Sequence, residues 1–128
     1  MEKAKLRHIA IIVEDPDKTA AFFQAAFGMI RTKDNRRGCH LTDGTMTVAL
    51  LKREEPEELG IAHFGMWIDD FDEAEKQATE AGAVYMKDRP TASTTAFYEA
   101  KFESPEGLIF DLTHSGWPGA VKEVEPKK

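Results

Sequence analysis

The sequence predicts an α+β fold of two βαβββ modules, which form one cupped mixed sheet with the helices outside. Each half of the chain contains short apolar stretches that are typical of strands. It also contains one stretch in which apolar residues recur at helical spacing. Three polar residues of the first half recur 55 positions later with the same or a similar side chain: His8 with His63, Glu14 with Asp69, and Asp15 with Asp70. A period close to half the chain length indicates an internal duplication.

The first module is predicted over residues 5–52. Asp15 can cap its helix, Pro16 suits the first helical turn, and Gly28 is typical of the C-terminal end. Phenylalanines at helical spacing are expected to face the core: Phe22, Phe23 and Phe27. Asp43-Gly44 is a strong hairpin signal before the last strand. The predicted strands are Leu6–Val13, Met29–Lys33, Gly38–Thr42 and Thr45–Lys52.

The second module is predicted over residues 61–114, after a linker at Arg53–Gly60. Asp69-Asp70 can cap a helix at Asp72–Ala81, which Gly82 would end. The predicted strands are Ile61–Ile68, Ala83–Lys87, Thr95–Glu103 and Leu108–His114, and residues 115–128 form a tail. Neither module can bury its own sheet face, so we expect both to close around one concavity within a single domain.

The composition excludes several classes of protein. The 128 residues carry a net charge of −6 without a basic stripe, which disfavours nucleic-acid binding. No apolar run is long enough to span a bilayer, and the first residues lack the apolar stretch of a secretory signal. A single cysteine, Cys39, cannot form an internal disulfide and fits a reducing compartment. We therefore expect a cytoplasmic protein with no membrane partner.

Three motifs stand in order along the chain: His8-Ile9-Ala10-Ile11, His63-Phe64-Gly65-Met66-Trp67-Ile68, and Ser104-Pro105-Glu106-Gly107-Leu108-Ile109-Phe110-Asp111-Leu112. Together, from Leu6 to about His114, they resemble the vicinal oxygen chelate superfamily, which contains glyoxalases, bleomycin-resistance proteins and extradiol dioxygenases. The resemblance implies the paired-module fold, and it implies metal ligands at the positions of His8, His63 and Asp111. It also implies a homodimer, because a second chain often completes such modules.

Strand alternation supports the same three residues. In each of three strands, one face is wholly apolar and should pack on a helix. The opposite faces carry His8, His63 and Asp111 and are left to line the concavity. An ionised aspartate in an apolar strand is costly unless it is paired or ligates a metal. Two imidazoles and one carboxylate are typical of non-haem Fe(II) sites. The alternative is that Asp111 pairs with Lys101 or an arginine and that the histidines are structural.

This chain differs from the superfamily at several functional positions, and these differences disfavour some of the activities found in the superfamily. Isomerases of the superfamily use a Glu or Gln on the fourth strand of the first module, where this chain has Val48 and Ala49. Ring-cleaving relatives use a tyrosine ten residues before the carboxylate ligand, where this chain has Lys101. Relatives also more often carry Glu at the position of Asp111. These departures disfavour a glyoxalase I-like isomerase and put catechol cleavage in doubt.

Further residues are candidates around the metal. Lys101, Glu99 and Tyr98 are the candidates for proton transfer or orientation, although alternation places Tyr98 on the opposite face, with the core. Trp67, Phe97 and Trp117 are candidates for contact with the substrate. His40 is expected at the surface, and His114 is expected to have a structural role on the face opposite Asp111.

The predicted function is that of a metal-dependent enzyme, dioxygenase- or lyase-like, that chelates a small organic substrate through adjacent oxygens. Fe(II) is the first choice of metal, and Mn, Ni, Co or Zn are alternatives. One alternative function is a glyoxalase- or epimerase-like isomerase. Another is a metal-free protein that binds a small molecule, as bleomycin-resistance relatives do.

Overall fold

A computed structural model describes residues 3–94 and 97–124 of the chain. The fold is α+β, with eight strands and two helices in the order β1-α1-β2-β3-β4-β5-α2-β6-β7-β8. The helices are α1 (Pro16–Phe27) and α2 (Phe71–Glu80). The strands are β1 (Lys5–Val13), β2 (Ile30–Asn35), β3 (Gly38–Thr42), β4 (Thr47–Lys52), β5 (Gly60–Trp67), β6 (Val84–Lys87), β7 (Ala100–Glu103) and β8 (Ile109–Thr113).

The chain divides into two compact units, each built around one predicted module. The N-terminal unit consists of Arg7–Ala62 together with Trp117–Lys128, and the C-terminal unit consists of His63–Gly116 together with Met1–Leu6. Both units contain the predicted βαβββ sequence of elements. No helix among the described residues has the length and apolar character needed to cross a bilayer.

In the N-terminal unit the strands lie in the order β2-β3-β4-β1. β1 and β4 are parallel, from His8 opposite Thr47 to Val13 opposite Lys52, and the other pairs are antiparallel. Helix α1 packs on one sheet face, because Ala20 lies in a buried cluster with the β3 and β4 side chains Cys39, Leu41 and Leu50. The apolar face of β1 therefore faces its helix, as alternation predicts.

In the C-terminal unit the strands lie in the order β5-β8-β7-β6, and β5 and β8 are parallel. Helix α2 places Phe71 and Ala74 against one sheet face. The strand residues of this core are Met66, Ala100, Phe102, Phe110 and Leu112, and Ile68, which directly follows β5, packs with them. The apolar faces of β5 and β8 thus meet the helix, and the opposite faces carry His63 and Asp111.

Both helices begin at the predicted aspartates. Asp15 Oδ1 accepts a hydrogen bond from Lys18 N, and Asp70 Oδ1 accepts one from Glu73 N, at 3.1 Å in each case. Gly28 ends α1 with a left-handed conformation at φ 69°, as predicted. These caps satisfy backbone groups that a helix end leaves without a helical partner.

Apart from shifts of one or two residues at the ends of elements, three predictions differ from the structure. The predicted strand Thr95–Glu103 begins at Ala100, and its first two residues lie outside the described part of the chain. Phe22 and Phe27 are not core residues, because 58% and 72% of their surfaces are exposed. His40 is not at the surface but buried, because both faces of β3 are covered from Cys39 onward.

Candidate metal centre

Three neighbouring strands of the C-terminal unit position the candidate site. β8 lies between β5 and β7, with Asp111 opposite Gly65 on β5 and opposite Lys101 on β7. Because alternate residues of a strand share a face, Asp111 and Lys101 point to the same side of the sheet. His63 precedes Gly65 by two residues and also lies on that face. Strand register therefore brings the three side chains together.

Asp111 is the centre of this arrangement. Its side chain is fully buried, and Oδ1 accepts a hydrogen bond from Lys101 Nζ at 2.7 Å. Its other oxygen, Oδ2, lies 3.2 Å from His63 Nε2. The Lys101 side chain is 22% exposed and that of His63 is 16% exposed, so both partners reach the edge of solvent. The Asp111 carboxylate therefore joins two groups that approach it from different sides.

Glu99 adds a second carboxyl group. Potential ligand atoms of His63, Glu99 and Asp111 all lie within 4.8 Å of one another. Glu99 also hydrogen-bonds Asp111. It precedes β7 by one residue, yet it keeps the alternation of that strand, since Glu99 and Lys101 lie by the cluster while Tyr98 and Ala100 are buried in the core.

The electrostatics of Asp111 favour its ionised form. Burial alone would raise the pKa of this carboxyl, but hydrogen bonds from His63 and Glu99 and the positive charge of Lys101 outweigh that effect. The pKa of Asp111 consequently lies well below its usual range. A buried aspartate that remains ionised is a strong acceptor for a cation.

The donor set fits a divalent metal ion. Two ligands about 2.1 Å from a metal and at a right angle to each other are about 3 Å apart. The 3.2 Å between His63 Nε2 and Asp111 Oδ2 agrees with that spacing. Imidazole and carboxylate donors suit Fe, Mn, Co, Ni and Zn. His63 and Asp111 could therefore hold such an ion, with the Glu99 carboxyl beside it.

A pocket of about 510 Å³ adjoins the cluster in the C-terminal unit. It is lined by Asp88, Arg89, Pro90, Thr94, Phe97, Tyr98, Glu99 and Lys101. Glu99 and Lys101 thus belong both to the Asp111 cluster and to the pocket wall. Phe97, which is 43% exposed, contributes an aromatic surface. The volume is within the range of pockets that bind small organic molecules.

Tyr98 lies on the core side of the same segment. Its ring packs edge-on against Phe71, and its hydroxyl is 2.6 Å from His114 Nδ1. The hydroxyl also accepts a hydrogen bond from His114 N at 3.2 Å. Burial raises the pKa of Tyr98. The predicted structural role of His114 matches this contact.

Trp67 is fixed against the end of β8. Its indole Nε1 donates a hydrogen bond to His114 O at 3.1 Å. Gly116 lies so close to the ring that an added Cβ would be 2.3 Å from one of its carbons. Trp67 therefore forms a rigid surface two residues beyond Gly65, on the strand face that carries His63.

His8, the remaining predicted ligand, lies in the N-terminal unit. Only 2% of its surface is exposed, and Trp117 stacks on it with ring centroids 4.9 Å apart and planes inclined by 11°. His40 lies beyond, with its ring centroid 6.3 Å from that of His8. Trp117 is itself buried. The aromatic residue of the tail thus covers His8.

The structure brings His63, Asp111, Glu99 and Lys101 into one cluster. Sequence analysis made Glu99 a candidate for proton transfer or orientation, and what it did not predict is that the Glu99 carboxyl lies so close to the potential ligand atoms of His63 and Asp111. The signal was available, because Glu99 shares the strand face of Lys101, ten residues before Asp111. The pairing of Asp111 with Lys101 was the alternative to metal binding, and both can hold at once, since each uses a different carboxylate oxygen.

The sequence profile of the glyoxalase/bleomycin resistance protein/dioxygenase superfamily matches residues 5–112. The match spans both modules and all the residues of the cluster. The chain therefore belongs to this superfamily. No curated protein sequence matches the chain significantly.

Solved structures with different activities share the fold. A methylmalonyl-CoA epimerase from Streptomyces coelicolor has a TM-score of 0.68 at 19% identity, over 88% of this chain and 97% of that chain. A 2,3-dioxygenase from a Pseudomonas species has a TM-score of 0.65 at 19% identity, over 91% and 42%. The Mn(II)-bound glyoxalase from Novosphingobium aromaticivorans has a TM-score of 0.70 at 20% identity, over 96% and 44%. At these identities the similarity shows the fold alone.

Proposed function

We propose that the chain is a metal-dependent enzyme that acts on a small organic molecule bound through two neighbouring oxygen atoms. The observation that carries the proposal is the buried cluster in which His63 Nε2 and Asp111 Oδ2 are 3.2 Å apart with Glu99 beside them. A divalent metal held by these residues would polarise the substrate oxygens and stabilise negative charge on them. The Mn(II)-bound glyoxalase among the structural neighbours supports a divalent metal in this fold.

The proposed ligands are His63 and Asp111, with His8 as a second imidazole. His8 belongs to the N-terminal unit, and its part in the site is supported by the resemblance of the opening motif to that of the superfamily. Two imidazoles and one carboxylate are the ligand set of non-haem Fe(II) enzymes, so Fe(II) is the first metal to test. The same donors accept Mn, Ni, Co or Zn.

The proposed reaction begins with proton transfer at a carbon next to the bound oxygens. Glu99 supports this, because its carboxyl adjoins both the cluster and the pocket. In its ionised form, in which it no longer donates a hydrogen bond to Asp111, it can take the proton on a carboxylate oxygen. Within the predicted class, Glu99 favours a lyase over a dioxygenase. It also supports an isomerase as second candidate, since it offers from the second module the carboxylate that Val48 and Ala49 cannot supply.

The other candidate residues have proposed roles around this step. Lys101 pairs with Asp111 and presents its ammonium group to the pocket, where Phe97 forms an aromatic wall. Tyr98 is held by His114 behind that wall and is proposed to assist proton transfer. Trp67 and Trp117 are proposed to contact the substrate and to limit which substrate shapes can bind.

Metal content tests the proposal directly. Protein purified without an immobilised-metal column should contain one divalent metal per chain, and Asp111→Ala and His63→Ala should lose it. His8→Ala tests the second imidazole in the same way. Asp72→Ala, which removes an exposed carboxylate of the same unit, should retain the metal. Metal that persists in Asp111→Ala would contradict the assignment. Its absence from wild type even after anaerobic reconstitution would favour a metal-free binding protein.

Solvent exchange distinguishes the reaction classes. In D₂O, wild type should exchange hydrogen next to the chelating oxygens of 2-hydroxy ketones or 2-oxo acids, as followed by NMR. Glu99→Gln should lower that rate about 100-fold or more and still bind metal. Oxygen consumption with diols or enols, without such exchange, would instead establish a dioxygenase.

A cytoplasmic homodimer is the proposed state of the protein. Phe22, Phe27 and Ile30 expose a large part of their apolar surfaces on α1 and the start of β2, which supports an interface there. Analytical ultracentrifugation should give twice the chain mass of 14.3 kDa. Phe27→Asp should shift the equilibrium towards monomer if α1 lies in the interface. Cell fractionation tests the location.

A further inference from the structure

We propose that Lys101 sets the divalent-metal affinity of the site by acting as a resident cation on Asp111. Lys101 Nζ lies 2.7 Å from Asp111 Oδ1, whereas the 3.2 Å contact of His63 Nε2 is with Oδ2. The inference rests on the proposed function, because it concerns how tightly the same cluster holds its metal. The Lys101 ammonium group would thus compete with the metal ion for Asp111.

Strand pairing makes this contact a fixed property of the fold. Lys101 and Asp111 are directly opposite each other on the antiparallel strands β7 and β8, between Ala100 opposite Leu112 and Phe102 opposite Phe110. Ala100, Phe102 and Leu112 are buried core residues, so the register cannot slip without moving them. Lys101 and Asp111 therefore stay opposite each other, within reach of an ammonium–carboxylate contact, whether or not a metal is present.

The charge of Lys101 opposes a second cation on the same carboxylate. Asp111 carries one negative charge and is fully buried, which weakens solvent screening around it. An ammonium group and a divalent ion on the two oxygens of one carboxylate repel each other at close range. The ammonium also hydrogen-bonds Oδ1, which would disfavour binding of a metal through both oxygens of Asp111. Both effects lower metal affinity.

A hydrogen bond from Lys101 could act in the opposite direction by orienting Asp111. Partners that orient a ligating carboxylate typically change metal affinity 10- to 100-fold. Here the paired strands already hold Asp111 in a packed interior, so little orientation is left for Lys101 to supply. The repulsive effect of its charge should therefore dominate.

Metal titration of lysine variants tests the inference. Lys101→Gln removes the charge and keeps an N–H donor for Asp111, Lys101→Met removes both, and Lys101→Arg keeps the charge. The Kd for Mn²⁺ is measured by isothermal calorimetry on the metal-depleted full chain at one pH and ionic strength. Lys76→Met, on the exposed side of α2, is the matched control because it removes the same charge from the same unit.

The Kd for Mn²⁺ should fall about tenfold or more in Lys101→Gln and Lys101→Met. The Kd should stay within about twofold of wild type in Lys101→Arg and Lys76→Met. The reason is that the affinity for Mn²⁺ depends on the positive charge beside Asp111 rather than on the net charge of the protein. An unchanged Kd in a folded Lys101→Gln protein would overturn the inference. A raised Kd would overturn it as well, since it would show that Lys101 holds Asp111 for the metal. If Lys101→Met does not fold, Lys101→Gln decides.

These outcomes separate the inference from the proposed function. If wild type binds Mn²⁺ at least as tightly as Lys101→Gln does, the metalloenzyme proposal stands and the role of Lys101 is refuted. Wild type that binds no metal, together with a Lys101→Gln protein that does, would support the role of Lys101 and refute the metalloenzyme proposal for the native chain. Absence of binding in both proteins would refute both.

Discussion

At the residue scale, the candidate site depends on one buried carboxylate. Asp111 lies on β8 among apolar neighbours, and such a position is unfavourable for a charge without partners. Lys101 and His63 approach its two oxygens, and Glu99 hydrogen-bonds it. The site is thus an ionic and hydrogen-bonded cluster even without a metal, which allows its stability to be studied apart from its chemistry.

Asp111→Asn should destabilise the metal-free protein by about 2–4 kcal/mol, because it leaves Lys101 without its carboxylate in a largely buried position. Urea unfolding in the presence of EDTA measures this. Asp72→Ala, on the exposed face of α2, should change the free energy of unfolding by less than about 0.5 kcal/mol. Equal changes in the free energy of unfolding for the two substitutions would show that the cluster makes no specific contribution to stability.

Gly116→Ala should destabilise the protein by more than about 2 kcal/mol, because two costs combine. Gly116 has φ of +74°, and its added Cβ would lie 2.3 Å from the Trp67 ring. Gly107→Ala is the matched control, since it has φ of +86° and nothing within 4 Å of the added Cβ. Thermal unfolding should show the smaller loss for Gly107→Ala, and tryptophan fluorescence should change only in Gly116→Ala.

At the element scale, strand boundaries follow from pairing, while strand faces follow from alternation. The alternation from Phe97 to Lys101 predicted which side chains reach Asp111, and the structure agrees. The strand itself begins only at Ala100, because its pairing with β8 begins with Ala100 opposite Leu112. A periodic pattern cannot show where a partner strand ends, so the boundary was not predictable.

The β3–β4 loop is held by one carboxylate. Asp43 Oδ1 accepts hydrogen bonds from Thr45 N and Met46 N at 2.9 Å, and these bonds lower the pKa of Asp43 below 3.8. Since a depressed pKa means that the ionised form stabilises the fold, this contribution is complete above pH 3.8. It is lost as the pH falls through the lower value of the folded state.

Asp43→Ala should therefore cost about 1 kcal/mol at pH 7 and less near pH 2. Denaturant unfolding of wild type and variant at both pH values measures the difference. Asp43→Asn keeps an acceptor oxygen that does not titrate, so its difference from Asp43→Ala should not change with pH. A pH-independent difference between wild type and Asp43→Ala would show that the charge of Asp43 is irrelevant.

At the scale of the whole molecule, the chain returns to its first unit after completing the second. Trp117 stacks on His8, and Gly119 O accepts a hydrogen bond from Thr42 Oγ1 at 2.8 Å. Arg7 donates hydrogen bonds to Val121 O and to Lys122 O. From Trp117 to Lys122, the tail predicted from the sequence is thus part of the N-terminal unit.

Deletion of the chain from Trp117 onward should lower the free energy of unfolding by about 3 kcal/mol or more, because a buried tryptophan is lost. For a protein of this length, that corresponds to a fall in Tm of about 10 °C. Arg7→Met, which loses the hydrogen bonds to Val121 O and Lys122 O but keeps the buried tryptophan, should have a smaller effect in the same calorimetric scan. A truncated protein that melts like the full chain would contradict the role of the tail.

The sequence alone determined the duplicated modules, both helix caps and the strand faces that carry His8, His63 and Asp111, because these depend on local spacing and periodicity. Only the tertiary structure decided which of Lys101 and His63 meets each oxygen of Asp111, and that Glu99 joins them. It also decided that His40 is buried, since residues distant in sequence stack around His8 and cover that face. Such contacts depend on strand register and on the path of the tail, and neither is encoded in a local pattern.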